Sequence, residues 1–295
     1  MNLFYHRTSG GNVGDDFNAE LWPRLVPEIE RLDLADWLIG AGTIIDGRLF
    51  ALAGRKLVMG SGYRPGPRPP TFGPDVEFRA VRGTLTAEAL GLDPSTAVCD
   101  PAFVVAGWPE LRTESTGAIG LVPHVYSEQG SGICAAAAAA GLEVISPTLP
   151  PQEFFRKLGR CARVYCESLH GAIFSDALRI PWARVQISAH YYEGRGVNDF
   201  KWRDAFSTLG VDVKPVNRIG LVPIKRSWPA MGTVMQPVQV LAENRLAARL
   251  HQMRDGWFFR LSAEERLFEQ VDEFLRRVAS LRSEEPLGTG THHSS

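Results

Sequence analysis

Two histidines stand where strand-like runs end. His124 closes Val122-Pro123-His124, and His170 sits at a helix start within Glu167-Ser168-Leu169-His170-Gly171. Imidazole ionises nearer neutrality than any other side chain, so the pair offers proton transfer or phosphate binding. A lone histidine is more often structural; two at matching strand ends favour function. If the strands of this half lie in the order 2-1-3-4, both loops flank the point where the order reverses, which is where open parallel sheets bind ligands. Near the N-terminus, Ser9-Gly10-Gly11-Asn12-Val13-Gly14-Asp15-Asp16 leads from a strand into a helix. Its glycines let backbone amides approach a ligand, Asp16 suits an N-cap, and Asp15 could act as a base in a turn that touches sugar or phosphate. A tight strand-to-helix turn that merely needs glycine accounts for the same residues.

Cations complete the inventory. Arg79-Ala80-Val81-Arg82-Gly83-Thr84 runs from strand into helix, which sets Arg82 beside free helix amides, an arrangement suited to anions. Lys201, in Phe200-Lys201-Trp202-Arg203-Asp204, could neutralise a bound anion or lie on a solvated helix face. Ile39-Gly40-Ala41-Gly42-Thr43 lacks the third glycine and the acidic residue of a dinucleotide fingerprint, which excludes a nicotinamide cofactor. No Cys/His group has metal-ligand spacing and no Gly-x-Ser-x-Gly elbow occurs, so neither a metal nor a serine nucleophile is expected.

Alternating β-rich and helical runs must position these residues, and that alternation predicts an α/β fold with parallel sheets. Strands are expected at Leu3 to His6, Trp37 to Ile39, Lys56 to Met59, Glu77 to Val81 and Ala97 to Cys99, with helices near Phe17 to Leu25 and Thr84 to Leu90. After a loose linker from Trp108 to Gly117 come strands at Ala118 to Val122, Glu143 to Ile145, Arg163 to Cys166 and Ala183 to Ile187. Helices are expected between them at Gly132 to Ala140, Gln152 to Leu158 and Ala172 to Leu178, and another opens near Phe200. The resulting plan is an N-terminal Rossmann-like domain over 1–112, a second over 113–235, C-terminal helices over 236–282 that pack back on the first domain, and a disordered tail over 283–295.

Bulk properties narrow the partners. A net charge of −1 over 295 residues gives no field to draw nucleic acid or an anionic membrane, so anion binding must be local. No apolar run approaches the roughly 20 residues of a membrane span, and the first residues lack a signal-peptide pattern. Four cysteines without a Cys-x-x-Cys pair suit reduced thiols in the cytoplasm. Trp257, Phe258 and Phe259 are expected to pack against the first domain, and peripheral membrane contact is the most they would otherwise give.

Taken in order, several segments resemble the polysaccharide pyruvyl transferase family, in particular its succinoglycan-ketalase-like branch. They are Gly11 to Asp16, Arg82-Gly83-Thr84-Leu85-Thr86 with Leu90-Gly91, Asp100-Pro101-Ala102, Val122-Pro123-His124, Glu167 to Ile173 and Lys201-Trp202, spanning about residues 1 to 210. The resemblance implies two Rossmann-like domains facing across a cleft, as in GT-B glycosyltransferases. It implies transfer of a pyruvyl group from phosphoenolpyruvate, as donor co-substrate with no further cofactor, to a saccharide acceptor, lipid-linked or free. His170 would be the general acid, His124 would assist with phosphate or proton transfer, and Asp15 would orient or deprotonate the acceptor. Asn12, Gly14, Arg82, Glu167, Ser168 and Lys201 would contact substrate, with Arg82 and Lys201 clamping the anion. Ser168 stands where many members carry arginine, so Arg82 or Lys201 substitutes for that guanidinium, or donor binding differs. The rival expectations are a glycosyltransferase using a nucleotide sugar and a non-catalytic glycan-binding member.

Overall fold

The computed structural model describes residues 1–130, 132–188, 192–214, 216–221, 244–252 and 259–283. Its first half contains β1 (Asn2–Phe4), α1 (Val13–Asp16), α2 (Asn18–Leu25), β2 (Trp37–Ile39), β3 (Thr43–Ile45), β4 (Lys56–Tyr63), β5 (Val76–Val81) and α3 (Thr84–Ala89). The second half adds β6 (Ala118–Val122), α4 (Val125–Gly130), α5 (Ile133–Ala139), β7 (Glu143–Val144), α6 (Pro151–Leu158), β8 (Cys161–Cys166), α7 (Leu169–Ala177), β9 (Trp182–Ser188), α8 (Arg195–Ser207) and β10 (Asn217–Leu221). Two C-terminal helices follow, α9 over 244–252 and α10 (Glu264–Ser280).

Each half builds one five-stranded parallel sheet. In the first, β1, β2 and β4 lie side by side, with β5 and β3 also paired to β4. In the second the order is β10-β9-β8-β6-β7, the doubly wound 2-1-3-4-5 arrangement with its reversal between β6 and β8. Strands β4 and β9 are covered on both faces and buried throughout, although β4 carries Lys56 and Ser61 and β9 carries Arg184, Gln186 and Ser188. The alanine run forms α5, and its small side chains bring Ala136 and Ala137 into the cluster of Ile119 and Leu121 on β6.

The two sheets are not separated by a cleft along their whole contact. One hydrophobic core joins them: Phe17 of the first half packs on Phe155 and Phe174 of the second, with ring centroids 5.4 and 5.3 Å apart. All nine residues of α7 are buried, as a helix wedged between layers requires.

Several expectations change. The strand at Ala97 to Cys99 shrinks to one bridge between Val81 and Ala97, because Asp93 and Asp100 each cap a proline-led 3₁₀ turn that bends the chain away. The 3₁₀ helix Pro101–Gly107 fills the shared core instead. Asp16 is not an N-cap: Asn12 caps α1, and the Asp16 carboxylate reaches back to the Asn12 amide at 2.7 Å. The Gly40 turn approaches Asn18 rather than a ligand. Asn18 Oδ1 accepts the Ala41 amide at 2.7 Å, and a Cβ on Gly40 would lie 2.2 Å from that oxygen. Of the C-terminal helices, α9 buries Leu246 and Leu250 in the second sheet's cluster, whereas α10 sets Phe274 against Trp22 of the first half. Phe259 lies on Tyr165 of the second sheet; Trp257 and Phe258 fall outside the described residues, as does most of 283–295.

Candidate active site

The loop after β1 enters α1 through Asn12, whose Oδ1 accepts the Gly14 amide at 3.3 Å and whose Nδ2 donates to Asp15 Oδ2 at 2.7 Å. Asp15 is thus aimed by its neighbour. Burial pushes its carboxyl up to about 6, against the opposing pull of His170 and the Asn12 hydrogen bond. Gly14 explains the remaining requirement of this turn. A Cβ there would lie 1.9 Å from His170 Nδ1, so glycine leaves the space in which the imidazole sits. Gly14 itself does not line the cavity.

His170 stands in the first turn of α7, directly after β8, and reaches across to the first half. Its Nε2 faces Asp100 Oδ2 at 3.9 Å, and both atoms are buried without a hydrogen-bond partner. Asp100 is held by its other oxygen, which accepts the Ala102 amide at 3.0 Å. Ser168 begins α7 without capping it.

Glu167 performs a different task from the expected substrate contact. One oxygen accepts the His124 amide at 3.0 Å; the other accepts the amides of Ile187 and Ser188 at 2.8 and 3.1 Å. A buried carboxylate so engaged pins the loop after β6 to the end of β9, across the reversal point. Burial still raises its pKa, opposed by these bonds. His124 is thereby fixed, stacked on Tyr192 with centroids 5.1 Å apart. Burial and then Lys201 push its pKa down to about 4. Neutral imidazole follows at pH 7, with Nδ1 accepting the Tyr126 amide at 3.3 Å and Nε2 left as the donor.

These loops enclose a cavity of about 770 Å³. Asn12, Asp15, His124, Ser168, His170 and Lys201 all line it; Gly14, Glu167 and Arg82 do not. Arg82 is fully buried, donating to Asp204 at 2.9 Å and to Thr43 Oγ1 at 2.7 Å. The amides of α3 are also occupied, Thr84 N–H by Ser207 and Thr86 N–H by Asp204. The anion site expected at Arg82 therefore exists, and the chain fills it with its own Asp204.

The cavity's guanidinium groups come from elsewhere. Arg48 lines it but binds Asp46 and the Thr43 carbonyl. Arg64, immediately after β4, meets Glu193 at 3.2 Å, and Lys201 holds the other Glu193 oxygen. Burial works to raise Glu193, yet Lys201 and Arg64 hold its pKa down at about 2. The rule that parallel sheets bind at their carboxyl ends points to Arg64 once β4 is seen to run to Tyr63, four residues beyond the expected Met59. Among the described residues no group of three His, Cys, Asp or Glu side chains is arranged to hold a metal ion, and no helix is long and apolar enough to cross a membrane.

Acid–base side chains and cations thus share one cavity at the carboxyl ends of two parallel sheets, an α/β arrangement suited to acid–base chemistry. Residues 70–188 match the polysaccharide pyruvyl transferase family, a range that includes Asp100, His124 and His170 but neither Asp15 nor Lys201. The chain is also 36% identical over 217 residues to the succinoglycan biosynthesis protein ExoV of Rhizobium meliloti (strain 1021), covering 73% of this chain and 67% of that relative. This chain belongs to the polysaccharide pyruvyl transferase family and is a transferase. No solved structure matches it significantly.

Proposed function

We propose that the enzyme transfers the pyruvyl group of phosphoenolpyruvate to two hydroxyls of a saccharide in an exopolysaccharide precursor, forming a pyruvate ketal and releasing phosphate. The observation that carries this reading is the convergence of His170 and Asp15 from opposite halves onto one cavity beside Arg64 and Lys201. The family and the succinoglycan biosynthesis relative support the polysaccharide product.

In this mechanism His170, its Nε2 turned to Asp100, gives the proton on Nδ1 to the methylene carbon of the donor, and C2 becomes cation-like. A first sugar hydroxyl bonds to C2 while its proton passes to Asp15. The C2–O bond to phosphate then breaks, a second hydroxyl bonds in its place, and that proton departs with phosphate. The proton on Asp15 returns to His170 through solvent, which closes the balance. A carboxyl near 6 suits this base role at neutral pH, because it is ionised yet more basic than a free aspartate. Asp100 backs the Nε2 side of the His170 ring. Neutral His124 offers a hydrogen bond from Nε2 to the phosphate.

The test combines binding with turnover. Phosphoenolpyruvate at about a hundredfold excess over its dissociation constant stabilises the protein by about 2.7 kcal/mol, and nucleotide sugars do not. Acceptor then drives phosphate release with formation of acid-labile bound pyruvate. His170→Ala keeps donor binding and loses turnover. Nucleoside diphosphate released from a nucleotide sugar, with none of these responses to phosphoenolpyruvate, would overturn the proposal in favour of glycosyl transfer.

A further inference from the structure

Resting on that reading, we propose that Arg64 and Lys201 form the seat for the donor's phosphate, and that Glu193 fills this seat in the empty enzyme until the donor displaces it. Three observations lead here. First, the other guanidinium groups around the site are already engaged, Arg48 with Asp46 and the fully buried Arg82 with Asp204. Arg64 is the guanidinium at the cavity wall whose partner comes from the opposite half, 129 positions away. It supplies the group that Ser168 does not.

Second, Glu193 is held as an anionic ligand would be. One oxygen takes Arg64 at 3.2 Å and the other takes the Lys201 ammonium. The single negative charge leaves one of the two cations uncompensated, whereas a phosphoryl dianion neutralises both. Charge alone therefore favours exchange, and a carboxylate pulled down to about 2 does not leave by protonation at any physiological pH. Third, the pair is accessible. Glu193 and Arg64 side chains are 25% and 35% exposed, while Lys201 at 11% is the fixed floor. A carboxylate in that position can swing towards solvent without opening the core.

An internal competitor lowers apparent affinity by the fraction of time the seat is open. If that fraction is about one tenth, removing the charge of Glu193 tightens phosphate and phosphoenolpyruvate binding roughly tenfold. The experiment is calorimetric titration of the full chain with inorganic phosphate and, separately, with phosphoenolpyruvate. Wild type, Glu193→Gln and Arg64→Ala are compared, and matching thermal midpoints verify the fold. Glu193→Gln should bind both ligands more tightly and Arg64→Ala both more weakly. If Glu193→Gln bound phosphate no better than wild type, Glu193 would be a positioning residue for Lys201 and the proposal would fail. If both variants shifted phosphate as expected while no form bound phosphoenolpyruvate, the seat would stand and the donor assignment would fall.

Discussion

Replacing Asp15 with asparagine should make the protein more stable and nearly inactive. Burial lifts the Asp15 carboxyl from the 3.8 of a free aspartate to about 6. At about 1.36 kcal/mol per pH unit, keeping it ionised in the folded chain costs about 3 kcal/mol. Because the folded pKa lies above the unfolded one, this cost is absent below pH 3.8, grows between 3.8 and about 6, and is constant above. Asparagine cannot ionise and keeps an oxygen for Asn12 Nδ2; the charge assistance of that bond is already contained in the value of about 6. Asp15→Asn should therefore exceed wild type by about 3 kcal/mol at pH 8 and by only about 0.5 kcal/mol at pH 4. Parallel urea unfolding at the two pH values measures the difference. Turnover should fall by about a hundredfold or more as the base disappears. In wild type, kcat/KM should decline as pH drops through about 6. A variant less stable than wild type at pH 8, or a stability difference independent of pH, would refute the assignment of a buried, reluctant carboxylate.

Gly14→Ala places a methyl 1.9 Å from His170 Nδ1; the ring must move, at a cost of about 1–3 kcal/mol and on the order of a hundredfold in kcat, measured by unfolding and steady-state kinetics. Arg82→Ala strips one partner from the fully buried pair with Asp204 and should destabilise by about 3–5 kcal/mol in urea, while the folded fraction binds phosphoenolpyruvate almost as before. Asp100→Asn removes the charge facing His170 and should lower kcat by at least about tenfold with little change in KM.

Much of this site is legible in the sequence because its rule is local. His124, Ser168 and His170 lie within four residues of the end of a parallel strand, Asn12 and Asp15 sit on the glycine-rich turn and helix that follow β1, and β2 and β6 are continuous apolar runs. The start of α7 is harder. A helix buried on every side has no amphipathic period, so the pattern places its beginning at Ala172, three residues late. The short α4, directly after His124, likewise carries no periodic signal. Arg82 shows a deeper limit. Its surroundings read correctly as an anion site, but the anion is Asp204, 122 positions away. Arg64 and Glu193 are invisible for the same reason, since their meaning comes from a partner in the other half of the fold.

The position of His170 and Asp15 within one shared core bears on how the proposed chemistry would work. His170 rides on a helix with no exposed residue, and Asp15 follows the glycine that makes room for its ring. Phe17, one residue beyond α1, packs against Phe174, four residues beyond His170. Moving the halves apart would thus break the core before it separated the two groups. Rigid-body closure is a poor way to assemble such a pair; it is assembled already, as electrostatic preorganisation requires. The adaptable parts are those a charged substrate must meet first, Arg64 and Glu193 at the cavity wall, both partly exposed. On the proposed reading, substrate binding then has only to exchange one anion for another beside His170 and Asp15, which the core already holds together.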